Sequence, residues 1–396
     1  MNKKKLIIIY VMFIVIEYLY SYSTPDLIPN ENEKYFLNPL LNYQNLLYDG
    51  SIRDSCTQLP MYLNLCYGSL TSSQLYKFED IQLNLNINDK YSFLMHYLEN
   101  ENRHRPFNVY LSEFGFITNF SNDFKFLISS ELDFEKKNID MNFGLIFTRN
   151  SNYYLLLKYK CEDVIYDEKS SDETKTIKRP FIFKAELFIK RNNFSIYNNI
   201  DLFTPMERKF YFNIIDNNKK KMFENTTSMK YQINNRIDIK CLFNYSYFYE
   251  SVIYRDLVLS DYIVDDLYMS FDTAIHYSIS SKFKSIVGNI YAYEYKKYYS
   301  SDYFKYKIGA NNPYIFFNYL KNNFIFTIGY FSQILFKDEI RKNSSIDKII
   351  VNPYIDLIKL GILYKLSQNS SVYMSISHSI SDDCYGGGNV KFAYTF

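Results

Sequence analysis

Residues 81–88 read IQLNLNIN, and apolar and polar side chains alternate along them without a break. An alternation with a period of two predicts a β-strand with one apolar face and one polar face. The turn NDK follows, and then YSFLMHY at residues 91–97, in which the aromatic residues and Met95 again share one face. Two alternating runs joined by a short polar turn predict a β-hairpin.

The same unit recurs in FKFLISSELDF at 124–134, FIFKAELFIK at 181–190 and LYMSFDTAIHYSIS at 267–280. In each run the charged residues stay on one face and the large apolar residues occupy the other. If the strands close into a barrel, the charged face lines the lumen. The predicted lumen-lining residues are Lys125, Glu131, Lys184, Glu186, Lys190, Asp272 and Lys391.

Connections between the runs are of two sizes, which predicts the two rims of a membrane barrel. Short turns such as SND, RNN, SSK and KNN alternate with longer polar stretches, for example 162–180 and 337–347. Bacterial outer-membrane barrels have short turns on one rim and long loops on the other. Strands that cross a bilayer need ~9–11 residues, so residues 76–396 are expected to form an all-β, transmembrane antiparallel barrel of about 16 strands, within a range of roughly 12–20.

A soluble β-sandwich or propeller is the alternative fold. Its strands are typically ~5–6 residues long. Runs such as 267–280 and 324–336 are longer than that, so the barrel is favoured over the soluble fold.

The first residues resemble an export signal. Lys3, Lys4 and Lys5 precede an apolar stretch at 6–16, and small residues follow at Ser21 and Ser23. This layout predicts a cleaved signal peptide at 1–23 and an exported N-terminal segment at 24–75. An uncleaved membrane anchor is the alternative, but it needs ~20 apolar residues, and Glu17 interrupts the run.

Composition narrows the classes of partner. Lys and Arg number 45 against 43 Asp and Glu, a net charge of +2, so no basic field is present to attract nucleic acid. The five cysteines lack the paired short spacings of a zinc site, and neither a metal nor another cofactor is expected. Cys56 and Cys66 are close enough in sequence for a disulfide after export, although two packed thiols fit equally well.

The terminal stretch GGGNVKFAYTF, residues 386–396, places Val390, Phe392, Tyr394 and Phe396 on one face of a strand. This resembles the C-terminal signature of bacterial outer-membrane β-barrel proteins, in which a closing strand ends in Phe. The resemblance implies a porin-like superfamily without a specific family. It also implies that these four residues are an assembly signal for the barrel assembly machinery. The implied location is the bacterial outer membrane, with outer-membrane lipids as partners; an organelle outer membrane or secretion are the alternatives.

One candidate for catalysis is SISHSIS at 375–381, because a serine hydrolase needs His and Ser within hydrogen-bond reach. On a strand, His378 shares a face with Ile376 and Ile380, whereas Ser377 and Ser379 point the other way. No catalytic residue is therefore predicted, and the protein is not expected to be an enzyme.

Passive passage of small polar solutes is the simplest function for a barrel of this size. The predicted function is therefore a porin-like channel. The alternatives are a non-conducting surface or adhesin-type barrel, a secreted soluble β-rich binding protein, and an outer-membrane lipid hydrolase.

Overall fold

The computed structural model describes residues 62–69, 75–102, 109–132, 139–149, 152–165, 174–178, 181–210, 215–254, 262–299, 303–342, 354–367, 370–380 and 384–395. The predicted signal peptide 1–23, Cys56 and Phe396 lie outside these ranges. Across them the chain forms β-strands joined by turns. No helix within the described ranges is long and apolar enough to cross a membrane.

The strands follow one another along the chain. Their bounds are β1 (Tyr62–Ser69), β2 (Leu75–Asn86), β3 (Tyr91–Asn102), β4 (Val109–Asn119), β5 (Phe124–Leu132), β6 (Ile139–Arg149), β7 (Tyr153–Ile165), β8 (Thr174–Lys178), β9 (Phe181–Arg191), β10 (Phe194–Phe210), β11 (Ile215–Asn234), β12 (Ile237–Tyr254), β13 (Tyr262–Ser278), β14 (Phe283–Tyr299), β15 (Tyr303–Lys321), β16 (Phe324–Lys342), β17 (Tyr354–Lys365), β18 (Ser370–Ser379) and β19 (Cys384–Thr395).

The sheet closes on itself, because β1 pairs antiparallel with both β2 and β19. The short strand β8 and strand β9 both pair with β10, while β7 pairs with β9, so β8 and β9 occupy one position around the barrel. The ring therefore has 18 antiparallel barrel strands. Full closure leaves no sheet edge, as a β-structure that spans a membrane requires.

The barrel wall begins earlier in the chain than the predicted start at Tyr76. Strand β1 lies within the stretch assigned to the exported N-terminal segment, and Leu65 is directly opposite Phe392 of β19. The alternation in YLNLCYGS is short and ends at Gly68, so local pattern alone did not distinguish it from a loop. Pairing with β19 at the far end of the sequence makes it a barrel strand.

Strand length divides the barrel into a tall part and a short part. Strands β10 to β16 have 17 to 20 residues, whereas β17 has 12 and β18 has 10. A bilayer needs only ~9–11 residues per tilted strand. The tall strands therefore extend past the membrane, and they do so on the rim with the long connections, because the other rim is set by tight turns.

All the short turns predicted from the sequence lie on that other rim. Two of them are two-residue turns with a left-handed asparagine, at Asn192 (φ 50) and Asn322 (φ 55), which fits the primed turns that join antiparallel strands. In another, Oδ1 of Asn88 accepts hydrogen bonds from the backbone N–H of Lys90 and Tyr91, both at 2.9 Å. Asparagine is thus common in these turns for a conformational reason.

The two faces of the ring differ in chemistry. Large apolar side chains on the outer face remain exposed, for example Ile328 at 53%, Leu360 at 51% and Ile376 at 53%, which are neighbours on β16, β17 and β18. An apolar outer belt on a closed barrel is matched to lipid. The prediction of an all-β transmembrane antiparallel barrel is confirmed, and 18 strands fall within the predicted range.

Candidate functional site

The inner face is the candidate functional site, because it carries the buried charges of the barrel. On β4 to β9 these side chains form a continuous group, called here the charged wall. Its members are Glu113, Ser129, Glu131, Asp140, Asn142, Lys158, Lys160, Lys184 and Glu186. Each lies on the strand face opposite the exposed apolar residues, so the period of two alone directs them inward.

Lys158 on β7 links the first two carboxylates of the charged wall. Its Nζ lies 2.8 Å from Oε1 of Glu113 and 3.3 Å from Oε1 of Glu131. Glu113 is 3% exposed and also accepts a hydrogen bond from the Ser129 hydroxyl. His96 Nδ1 lies 4.0 Å from the same carboxylate. A buried carboxylate is stable only with such partners.

Lys160 extends the network towards the rim with the long connections. Its ammonium contacts the carboxylate of Glu131 and lies 3.0 Å from Oδ2 of Asp140. Asn142, which is fully buried, donates its Nδ2 to Oε1 of Glu131 at 2.9 Å and to Oε1 of Glu113 at 3.2 Å. Two lysines and one amide thus hold three carboxylates.

A second ion pair continues the charged wall on β9. Lys184 Nζ lies 3.0 Å from Oε1 of Glu186. Lys184 is also directly opposite Lys158 on β7 and Asp201 on β10. Carboxylates therefore occupy β4 to β6, and lysines occupy β7 and the neighbouring position on β9.

The opposite part of the ring, β13 to β18, is built differently and is called here the aromatic wall. Its inward side chains include Tyr314, Phe316, Phe331 and Tyr373. The Tyr314 hydroxyl donates a 2.9 Å hydrogen bond to Oδ1 of Asp272, across the intervening strand β14. The buried carboxylate of Asp272 thus has an aromatic donor where Glu131 has lysines.

Glycine makes room for the rings of the aromatic wall. A Cβ built on Gly329 would lie 1.9 Å from the Phe316 ring, and one on Gly288 would lie 2.4 Å from the Tyr314 ring. A Cβ on Gly361 would lie 2.7 Å from the Tyr373 hydroxyl. Phe316, Tyr314 and Tyr373 therefore each occupy space beside a glycine of the adjacent strand that a Cβ would fill. Three of the 11 glycines in the chain therefore lie where an aromatic side chain occupies the space of a Cβ.

The predicted lumen residues are distributed over both walls and β19. Glu131, Lys184 and Glu186 lie in the charged wall, and Asp272 lies at the aromatic wall. Lys125 and Lys190 are half-buried near the short-turn rim, and Lys391 is opposite Cys66 and Tyr373. The structure does not bring these seven residues into one cluster.

Four ionisable members of the charged wall were not among the predicted residues: Glu113, Asp140, Lys158 and Lys160. The alternation could have found three of them, because IDMNFGLIF at 139–147 and YYLLLKYK at 153–160 place Asp140, Lys158 and Lys160 on the face opposite the exposed Phe143 and Tyr159. Their mutual contacts depend on strand register, which the local pattern does not show.

The inner face is also less polar than the alternation indicated. Near the short-turn rim of β3 to β9, inward apolar side chains form a buried cluster. Phe188 is 0% exposed, and Ile117 and Ile146 are 1% exposed. The period of two separates two faces but does not require that the inward one be polar throughout. The cluster consists of Leu94, Ile117, Leu127, Ile146, Tyr154, Leu156 and Phe188.

The predicted assembly residues lie on the outer face of β19, as far as they are described. Val390 is opposite Tyr67 of β1 and Met374 of β18, and Phe392 is opposite Leu65 and Val372. Tyr394 is opposite Leu63. Their role as an assembly signal stays a prediction.

The candidate serine-histidine site is not assembled by the fold. His378 is on the outer face with the exposed Ile376 and Ile380, while Ser377 and Ser379 are buried on the inner face. Among the described residues no group of His, Cys, Asp and Glu could hold a metal ion. The possible bridge between Cys56 and Cys66 stays a prediction, because Cys56 lies outside the described residues.

Comparison with known proteins gives matches of structure only. No protein family and no curated protein sequence matches the chain. The structural alignment with the translocator domain of the autotransporter NalP from Neisseria meningitidis covers 92% of this chain and 98% of that domain, at 9% sequence identity and a TM-score of 0.40. The alignment with OccAB3 from Acinetobacter baumannii covers 85% of this chain and 98% of OccAB3, at 9% sequence identity and a TM-score of 0.38. The alignment with the CymD monoaromatic hydrocarbon channel covers 86% of this chain and 89% of CymD, at 9% sequence identity and a TM-score of 0.38.

The chain's own geometry is that of a transmembrane β-barrel: a closed antiparallel ring with an apolar belt outside and charged side chains inside. Bacterial single-chain barrels have an even number of strands, and this ring has 18. The predicted barrel fold is therefore present, while membership of the outer-membrane superfamily and the outer-membrane location stay predictions. No specific family is identified.

Proposed function

We propose that this protein is a porin-like channel for the passive passage of small polar solutes. The observation that carries the proposal is a ring of 18 strands with ionised side chains on its inner wall. Barrels of 16–18 strands are wide enough to hold an aqueous channel. Charged groups such as those of the charged wall favour water and polar solutes over apolar ones.

A non-conducting barrel is the second candidate, and one observation favours it. Phe188 on the charged side and Phe316 on the aromatic side are both 0% exposed, although both point inward. Side chains that are fully covered on an inner face favour a filled lumen. In that case the inward ion pairs stabilise the barrel rather than line a path for solutes.

Neither candidate includes a catalytic step, because the nearest His and Ser residues of β18 point to opposite faces. The proposed partners are outer-membrane lipids on the apolar outer face and small polar solutes in the lumen. The barrel assembly machinery is the proposed partner of Val390, Phe392, Tyr394 and Phe396 during insertion.

Conductance of the purified barrel in planar bilayers tests the proposal. Folding is established first by gel mobility in SDS, heated against unheated, because closed barrels often resist SDS until boiled. A folded barrel that gives stepwise conductance supports the channel. A folded barrel that gives no steps contradicts it and supports the non-conducting candidate.

Assembly is tested separately in cells. Deletion of Phe396 is expected to reduce the heat-modifiable form in the outer membrane, whereas replacement of His378 on the outer face of β18 serves as the control. An undiminished folded form after the deletion would contradict the assembly role.

A further inference from the structure

Three lysines surround one tyrosine ring on the tall strands β14 and β15. The Nζ atoms of Lys297, Lys305 and Lys307 lie 5.2, 5.9 and 5.7 Å from the centroid of the Tyr295 ring. Lys307 is directly opposite Tyr295, and Lys305 is directly opposite Lys297. These four residues are called here the lysine–tyrosine cluster. All four side chains are half-buried, so part of each remains open to the surroundings of the barrel.

The lysine–tyrosine cluster faces away from the lumen. Tyr291 on β14 is 52% exposed on the outer face, and Tyr295 and Lys297 follow it on the same side of the strand, because side chains alternate with a period of two. Residues directly opposite each other on paired strands lie on the same side of the sheet. Lys305 and Lys307 therefore also point outwards.

The height of the cluster on the barrel is that of the membrane edge. Tyr293 is the eleventh residue of β14 counted from the short-turn end at Phe283. A tilted strand crosses the hydrocarbon layer in ~9–11 residues. Tyr295 and Lys297 lie two and four residues further along, on the side of the long connections. This places the cluster among the lipid headgroups, where tyrosine rings and lysine ammonium groups are both favoured.

Strand pairing extends the arrangement into two rows that run across β11 to β16. The upper row, nearer the long connections, consists of Lys221, Tyr249, Asp265, Lys297, Lys305 and Arg341. The lower row consists of Phe223, Tyr247, Leu267, Tyr295, Lys307 and Glu339. Lys221 repeats the contact of the cluster, because its Nζ lies 5.2 Å from the ring centroids of both Tyr247 and Tyr249. Cations thus predominate above, and rings and a leucine below.

The two rows carry a positive excess when their acids are included. Asp265 is directly opposite Lys297, and Glu339 is directly opposite Lys307, so two carboxylates face five cations in the rows. Within the described ranges, the lysines of the cluster contact the ring and form no ion pair. Other acids of these strands occupy the alternate positions, which belong to the inner face: Glu224, Glu250, Asp266, Glu294 and Asp338.

We propose that the lysine–tyrosine cluster binds the phosphate-bearing headgroup of an anionic lipid in the leaflet at the long-connection rim. This goes beyond the contact of lipid chains with the apolar belt, and it does not depend on the channel function. A lipid phosphate accepts hydrogen bonds from lysine ammonium groups. Its charge also relieves the repulsion between Lys297 and Lys305, which are directly opposite each other.

The outer face below the cluster favours a lipid over a free anion. Tyr291 on β14 is 52% exposed there, and Phe271 and Ile275 on the neighbouring strand β13 are 40% and 51% exposed. Acyl chains that continue from a bound headgroup cover this apolar surface, which a soluble anion leaves uncovered. Headgroup and chains of one lipid thus match the cations above and the apolar side chains below.

Native mass spectrometry of the full-length folded barrel in detergent tests the proposal, because it counts bound lipids one at a time. Dioleoyl phosphatidylglycerol and dioleoyl phosphatidylcholine are offered in equal amounts, so only the headgroups differ. The wild type is expected to bind phosphatidylglycerol preferentially. The triple variant Lys297→Gln, Lys305→Gln and Lys307→Gln is expected to lower this preference by about fivefold or more, the effect of one lysine near an anionic surface. A wild type without preference, or a triple variant that keeps it, would overturn the proposal.

A matched control removes three positive charges from the outer face at the short-turn rim, on three separate strands. Arg149, Arg191 and Lys321 are exposed there, directly opposite Tyr153, Phe194 and Phe324. Their replacement by Gln changes the net charge equally and is expected to leave the lipid preference nearly unchanged. An equal fall in the control would assign the preference to net charge and contradict a site at the cluster. Heat-dependent gel mobility first establishes that both variants are folded.

Inorganic phosphate distinguishes a lipid site from a site for any phosphate. At the same concentration as phosphatidylglycerol, it is expected to displace little of the bound lipid, because it has no acyl chains to cover the apolar belt. Displacement of most of the lipid would overturn the lipid assignment. None of these measurements uses conductance, so failure of the cluster and failure of the channel are observed separately.

Discussion

The charged wall and the aromatic wall belong to one ring, but different interactions hold their inward side chains. On β4 to β9, lysines bridge carboxylates between strands, as Lys158 does between Glu113 and Glu131. On β13 to β18, rings lie over glycines, as Phe316 does over Gly329. The first wall depends on charge complementarity and the second on shape. An inner wall can therefore be stabilised by either kind of interaction.

Removal of a central carboxylate is expected to have the largest effect, and it acts on the charged wall alone. Glu131→Ala leaves Lys158 and Lys160 without a shared partner in a buried position. Breaking a buried ion network on one side costs about 3–5 kcal/mol. Equilibrium urea unfolding in lipid vesicles, followed by far-UV circular dichroism because the chain has no Trp, measures the loss.

Two further variants control this experiment. Lys125→Ala, on the same face of β5, is expected to change the free energy of unfolding much less, because Lys125 is only half-buried. Glu131→Leu combined with Lys160→Met is expected to recover part of the loss, since apolar replacement of a buried pair is often neutral. A full loss in the double variant would contradict the electrostatic account.

Lipid exposure is expected to be the same behind both walls, and a charge on the outer face tests this. Leu145 behind the charged wall is 42% exposed, and Leu360 behind the aromatic wall is 51% exposed. Substitution of either by Lys is expected to cost about 2–4 kcal/mol near the bilayer midplane. Unfolding in vesicles measures both, and two values near zero would contradict the lipid-facing belt.

A methyl group beneath a ring is expected to break the aromatic wall. Gly329→Ala places a Cβ 1.9 Å from the Phe316 ring, which has to move. Overpacking of this kind typically costs about 1–3 kcal/mol. The same urea titration measures it. Gly144→Ala is the graded control, because its Cβ would meet the Leu127 side chain at 3.1 Å; an equal loss at both positions would contradict the role of the ring.

A further prediction concerns Asp272, a buried carboxylate on the aromatic wall. Tyr314→Phe removes the donor to Oδ1 of Asp272, whose Oδ2 accepts no hydrogen bond from any described residue. Loss of a hydrogen bond to a buried acceptor costs about 1–3 kcal/mol. Asp272→Asn in the same background is expected to restore most of it, because a neutral amide is less costly to bury. No recovery would contradict this assignment.

Part of the candidate site was predictable from the local alternation of apolar and polar residues, and the residues that were missed have identifiable reasons. Glu131, Lys184 and Glu186 were predicted to line the lumen because each alternates with large apolar residues. The apolar cluster around Phe188 was missed because an inward apolar residue next to outward ones looks like a break in the alternation.

The sequence by itself determined the period of two, the face on which each side chain lies, the short turns on one rim and the β-barrel class. These are local properties of a chain whose successive side chains point to opposite sides. Only the tertiary structure decided the 18 strands, the entry of β1 into the wall opposite β19, the ion pairs of the charged wall and the ring-on-glycine contacts. Each of these depends on the register between strands, which is set by pairing over long stretches of chain and not by any single segment.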